Sequence, residues 1–122
     1  AHEAEEIRFD DALLGADPTP ALEEQGRDFA ALVSEVRAAG GDVAVIAVPE
    51  KLFLRQRSKH IKRYYDWLTA FAAAQKITVL RHPYADADFR DGVHATPQGG
   101  ARWSRSLAPA LAATLPAASG QD

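Results

Sequence analysis

Val43-Ala44-Val45-Ile46-Ala47-Val48-Pro49 is the stretch on which the fold turns. It is a continuous apolar run rich in β-branched side chains, with no polar residue at alternate positions. That pattern suits a strand covered on both faces, as in a parallel sheet, better than the half-wetted strand of a hairpin. Pro49, which has no N–H for a sheet ladder, ends it.

On the N-terminal side of this strand the sequence predicts a helix over residues 20–39. Thr19-Pro20 is a start signal, because the threonine oxygen can cap free N–H groups and proline is tolerated at the first helical position. Leu22, Phe29, Leu32, Val33 and Val36 then recur at helical spacing until Gly40-Gly41 supplies a left-handed stop. On the C-terminal side, Ile61, Tyr64, Tyr65, Leu68, Phe71 and Ala72 mark one face of a helix ending near Gln75, and Ile77-Thr78-Val79-Leu80 reads as a second buried strand. A polar loop over residues 82–95 leads to Thr96-Pro97, a second cap-plus-proline start. Trp103, Leu107, Leu111 and Leu115 follow as the apolar stripe of a last helix, which Pro109 should kink or split. The aromatic residues Tyr64, Tyr65, Trp67 and Trp103 fall on these helices and read as core.

Helix, strand, helix, strand, loop, helix is the order of an α/β protein whose right-handed crossovers build a parallel sheet between helices. Two parallel strands do not make a self-sufficient sheet. Either the lead-in hides a strand around Ile7 and Phe9, or part of the sheet comes from elsewhere. The chain divides into an acidic lead-in over residues 1–18, with Glu3, Glu5, Glu6, Asp10, Asp11 and Asp17 against the single cation Arg8, an α/β unit over residues 19–116, and a frayed tail over residues 117–122.

Composition narrows the function classes. With 122 residues, 47% hydrophobic and 25% charged, the chain is one ordinary globular unit. A net charge of -3 provides no general field for phosphates, so nucleic acid is not an expected partner. No apolar run approaches the roughly 20 residues of a membrane span. The absence of cysteine removes disulfides, thiolate metal sites and cysteine nucleophiles. Together with a start at Ala1 it favours an extracytoplasmic location.

In α/β sheets the chemistry gathers in loops at the carboxyl ends of strands. The loop after the second strand holds Asp91-Gly92-Val93-His94, followed by Ala95-Thr96-Pro97-Gln98-Gly99-Gly100. An aspartate three residues before a histidine in a turn can fold back onto the imidazole N–H, fixing the tautomer and leaving the other ring nitrogen as a base. The plainer reading is a turn-forming aspartate beside a surface histidine. Asp86, Asp88, Asp91, His82 and His94 together could ligate a metal, but their spacing matches no defined loop.

The segment running from Asp91 to Gly99, with the amphipathic helix behind it, resembles the last motif block of SGNH (GDSL-type) hydrolases, in which D-x-x-H supplies the triad aspartate and histidine. The preceding helix, strand and helix over residues 28–80 are similar to that family's later α/β units. The resemblance implies a flavodoxin-like three-layer sandwich with a parallel sheet, incomplete in this chain. It implies a serine esterase or O-acyltransferase acting on acyl esters, carried on a carbohydrate or lipid, with His94 as general base and Asp91 orienting it. No cofactor is implied. The nucleophile block has no counterpart: none of Ser34, Ser58, Ser104, Ser106 and Ser119 follows Gly-Asp, and there is no asparagine to serve as an oxyanion-hole donor. By this resemblance the nucleophile lies outside the chain, in a missing N-terminal half, or the chain is a non-catalytic relative that completes its sheet by docking or self-association.

A rival from another class rests on Arg55, Arg57, Lys59, His60, Lys62 and Arg63, a basic run at a helix start. Its plain reading is a solvated face. The alternative is a non-catalytic interaction domain that holds an anionic partner through Arg55, Arg57, Lys59 and Arg63.

Overall fold

The structure is a computed structural model and describes residues 3–5, 7–8, 17–81 and 84–114. It is a mixed α/β protein, mostly helical, with one two-stranded parallel sheet. Helix α1 (Thr19–Ala38) leads to β1 (Ala44–Ala47), then to α2 (Leu52–Arg57) and α3 (Lys59–Gln75), then to β2 (Thr78–Arg81). A short 3-10 turn (Asp86–Asp88) and an extended loop precede α4 (Pro97–Thr114). Ile7 is helical, so no strand forms there, while Phe9, Leu115 and the tail over residues 117–122 lie outside the described residues.

Helix α1 begins one residue before the expected proline start, and its cap differs from the one expected. The carboxylate of Asp17 accepts the backbone N–H of Thr19 at 3.0 Å, whereas the threonine hydroxyl accepts from Arg63 at 3.1 Å and caps nothing. Asp17 is the stronger acceptor, and hydrogen bonding from Thr19, its side chain first and then its backbone N–H, holds the Asp17 carboxyl below the usual range. At the other end the N–H of Gly41 reaches the carbonyl of Val36 at 2.9 Å and that of Gly40 the carbonyl of Arg37 at 3.0 Å. This six-to-one closure requires φ of +83° at Gly40, which glycine adopts without a Cβ clash.

Val45 pairs with Val79 in the middle of the parallel ladder, in register with Ala44 opposite Thr78 and Ala47 opposite Arg81. The core lies beneath them: Val33, Ala72 and Ile77 are buried, and Phe29, Val43, Val45, Phe71 and Val79 pack around them. Phe71 carries the aromatic side of this core, stacked with Phe29 at 5.4 Å and with Trp67 at 5.2 Å between ring centroids. Arg37 fastens the ends of α1 and α3 by donating to the carbonyls of Gln75 and Lys76 at 2.7 and 3.0 Å.

The expectation that the run over residues 43–48 is covered on both faces fails at Ile46 and Val48. Ile46 is 36% and Val48 68% exposed, while Ala47 between them is buried. The reason is the placing of the helices: α3 and α4 both pack against β2, and among the described residues no helix makes a comparable contact with β1. The helix expected around residues 61–75 is preceded by a separate one, α2. Ser58 ends α2 and caps α3, its hydroxyl accepting the N–H of Ile61 at 3.3 Å. Helix α4 continues through Pro109, so the expected split does not occur. Its apolar stripe seats Leu107 in the interior, with Trp103 and Leu111 half-buried. No described helix is long and apolar enough to cross a membrane.

Candidate functional site

The loops at the carboxyl ends of β1 and β2 meet. The N–H of Lys51 donates to the carbonyl of Gly92 at 2.8 Å, and the N–H of Leu52 donates to Asp86 at 3.1 Å. The second loop is itself closed at its base, where Phe89 and Ala95 form an antiparallel bridge and the N–H of Arg90 reaches the carbonyl of His94 at 2.8 Å.

Within this closed loop Asp91 folds back onto His94, as the three-residue spacing suggested. One carboxylate oxygen accepts the backbone N–H groups of Val93 at 3.0 Å and His94 at 2.7 Å. The two oxygens lie 3.0 and 2.9 Å from the imidazole Nδ1. The backbone N–H of His94, then that of Val93, then the imidazole hold the Asp91 carboxyl well below the usual carboxylate range. An ionised Asp91 facing Nδ1 favours the tautomer with the proton on that nitrogen, which leaves Nε2 as the acceptor. The His94 side chain is 67% exposed, and its ring has no other hydrogen-bond partner among the described residues.

The loop is pinned to α4 by the residues that follow. Thr96 caps the helix, its hydroxyl accepting the N–H of Gly99 at 3.0 Å, and its own N–H donates to the carbonyl of Asp88 at 2.7 Å. Gly99 sits directly on Asp88: a Cβ there would lie 2.7 Å from the Asp88 Cβ. Arg102, one turn further along α4, pairs with the Asp88 carboxylate, which also accepts the N–H of Ala85 at 3.2 Å. Asp86, Asp88 and Asp91 therefore turn to three different partners, and no group of three metal-ligating side chains occurs among the described residues. His82 lies outside them.

None of the described serines is hydrogen-bonded to His94. Ser34 and Ser106 donate to carbonyls of their own helices, and Ser58 is buried as a cap. Ser119 lies outside the described residues.

The basic run is not gathered into one patch. Arg55 pairs with Glu50 at 3.2 Å, Arg57 with Glu3 at 3.3 Å, and Arg63 with Asp17 at 3.4 Å. Lys62 pairs with Asp66 at 2.7 Å, Lys59 is exposed at the start of α3, and His60 is buried.

Arg55 and Lys62 instead join a cleft of about 650 Å³ at the carboxyl ends of both strands. Glu50, whose side chain is only 9% exposed, takes Arg55 on one oxygen and the Tyr65 hydroxyl on the other at 2.8 Å. Burial and the adjoining Glu50 carboxylate push the Tyr65 phenol well above its ordinary value. The guanidinium groups of Arg81 and Arg55 lie 5.2 and 5.9 Å from the centroid of the Tyr65 ring, within cation–π range. Tyr65 thus lines a cleft where it was expected in the core. The signal was present, since Pro49-Glu50 directly follows a strand, the position at which α/β proteins place their ligands.

No family model, curated protein or solved structure matches the chain.

Proposed function

We propose that this chain is part of an SGNH-type serine esterase or O-acyltransferase acting on acyl esters, with Asp91 and His94 as the acid/base pair and the serine nucleophile outside the chain. The observation that carries the reading is the Asp91–His94 geometry: an anchored carboxylate on Nδ1 of an exposed imidazole, in a loop at the carboxyl end of a parallel strand. In this reading the finer architecture is a flavodoxin-like three-layer sandwich, completed by strands that this chain does not supply.

The proposed chemistry runs in two halves. His94 Nε2 takes the proton of a serine hydroxyl as its oxygen attacks the acyl carbonyl, and Asp91 stabilises the imidazolium that forms. His94 then gives that proton to the departing alcohol as the carbon–oxygen bond breaks. Water or an acceptor hydroxyl loses its proton to the same nitrogen, attacks the acyl-serine, and releases the serine with its proton restored. A positioned base of this kind contributes about 10²–10⁴-fold. The anion-binding alternative has less support, because Arg57 and Arg63 are already engaged by Glu3 and Asp17.

The test is fluorophosphonate labelling with intact-mass detection of every polypeptide in the sample. An adduct on a longer or companion polypeptide, lost when His94 is replaced by alanine, is the expected result. An absence of any adduct overturns the assignment in favour of a binding domain.

A further inference from the structure

The cleft beside β1 and β2 is not used by the Asp91–His94 pair, and the charges around it do not fit an anion. Three carboxylates, those of Glu50, Asp66 and Asp86, balance three cations, Arg55, Lys62 and Arg81. A phosphate or carboxylate seated among them would meet as much repulsion as attraction. A purely apolar ligand fits no better, because it would strip water from charged groups on every side.

What the lining does offer is unused hydrogen-bonding capacity of both kinds. The Arg81 guanidinium donates through one nitrogen to Thr69 at 2.7 Å and has no carboxylate partner among the described residues. Lys62 directs one of its three N–H donors to Asp66. Asp86 accepts the N–H of Leu52 on one oxygen, and its other oxygen has no partner among the described residues. Tyr84 packs its ring against Phe89 and Trp103, leaving a hydroxyl without a hydrogen-bond partner there. Ala47, Pro49 and Leu52 supply apolar wall between these groups. Neutral hydroxyl groups both donate and accept, and a ring carrying several of them satisfies donors and acceptors together without adding charge. A cleft of this volume is in the range that holds a small organic ligand.

We propose that this cleft binds a neutral, polyhydroxylated ligand, a sugar unit, through Arg81, Lys62, Asp86 and the Tyr84 hydroxyl. The proposal deepens the esterase or acyltransferase reading, since the hydrogen bond from Lys51 to Gly92 sets the cleft beside the His94 loop and makes a sugar hydroxyl the carrier or acceptor of the acyl group. Sugar binding needs neither the serine nor the imidazole, so the two readings fail separately.

Saturation-transfer difference NMR on the 122-residue chain tests it, with galactose, N-acetylglucosamine, xylose and cellobiose as probes and galacturonate as the charged counterpart of galactose. Transfer to the neutral sugars is expected, with galactose preferred to galacturonate. Arg81→Met and Asp86→Asn should each weaken binding by about tenfold, the effect of one lost hydrogen bond to a charged group, while Arg57→Gln, outside the cleft, leaves it unchanged. The proposal is overturned if no neutral sugar gives transfer, if galacturonate binds more tightly than galactose, or if both cleft variants bind like the parent chain. Asp86→Asn keeps an oxygen for the Leu52 N–H, so the test stands even if Arg81→Met does not fold.

Discussion

The carboxylate of Asp91 holds His94 twice, accepting its backbone N–H at 2.7 Å and facing its ring Nδ1 at 2.9 Å. One side chain therefore fixes both the turn and the orientation of the exposed imidazole, and the backbone N–H of Val93 at 3.0 Å completes the anchor.

This relationship has a definite pH signature. The folded state depresses the Asp91 carboxyl below its unfolded value of about 4, so its contribution to stability is fully present above that pH and is lost as pH falls through the depressed value. The difference between the urea midpoints of the parent and Asp91→Asn should begin to shrink as pH falls below about 4 and go on shrinking toward the depressed folded value. A gap that stayed unchanged as pH fell below about 4 would show that the carboxylate charge is not what holds the turn. Under the proposed esterase or acyltransferase function, the same variant should lower turnover by about 10⁴-fold through loss of the favoured tautomer.

Gly99 and Gly100 are adjacent but should respond oppositely to alanine. A Cβ at Gly99 lies 2.7 Å from the Cβ of Asp88, so either α4 or the loop must shift, at about 1–3 kcal/mol. That outweighs the gain of about 1 kcal/mol that alanine brings to a helix. At Gly100 the nearest atom is the Ala95 Cβ at 4.0 Å, an ordinary contact, so only the gain remains. Thermal melts of Gly99→Ala and Gly100→Ala should move in opposite directions, and a rise for both would contradict the close packing of α4 on Asp88.

Tyr65 gives an alkaline counterpart. Its folded value is raised, so the stability it contributes is fully present below the unfolded tyrosine value of about 10 and is lost as pH rises from there toward the folded one. Ultraviolet titration should show a tyrosine component that ionises well above the ordinary value and is missing from Tyr65→Phe.

Leu54 is 1% exposed and seats α2, whose residues Leu52 and Arg55 wall the cleft. Leu54→Ala should lose about 2–5 kcal/mol by chemical denaturation. Ser58→Ala should lose about 1 kcal/mol from the missing cap, and more if its burial at 2% exposure leaves another group unpaired. A change in either below a few tenths of a kcal/mol would place the α2–α3 corner outside the cooperative unit.

Much of this fold is legible because it is local. Periodicity finds α1, α3 and α4, and the continuous apolar runs find both strands, within a residue or two of their observed ends. The Asp91–His94 approach is equally local, a matter of three residues in a turn. What escapes the sequence depends on distant segments. Tyr65 has the helical spacing of a core residue, and only the packing of Glu50 and Arg81 beside it makes it part of a cleft wall. The basic run looks collective in one dimension, yet Glu3, Glu50 and Asp17 draw its arginines apart. The exposure of Ile46 and Val48 is invisible in a string of apolar letters, because it reflects where the helices settle across the sheet.

The backbone hydrogen bond from Lys51 to Gly92, beside the one from Leu52 to Asp86, has a mechanical meaning. It couples two loops that are about 40 residues apart in the chain, so the first loop cannot swing without tugging on the turn that carries the imidazole. A ligand that stiffened the cleft would then steady the histidine at a distance, through the backbone alone and without touching its ring.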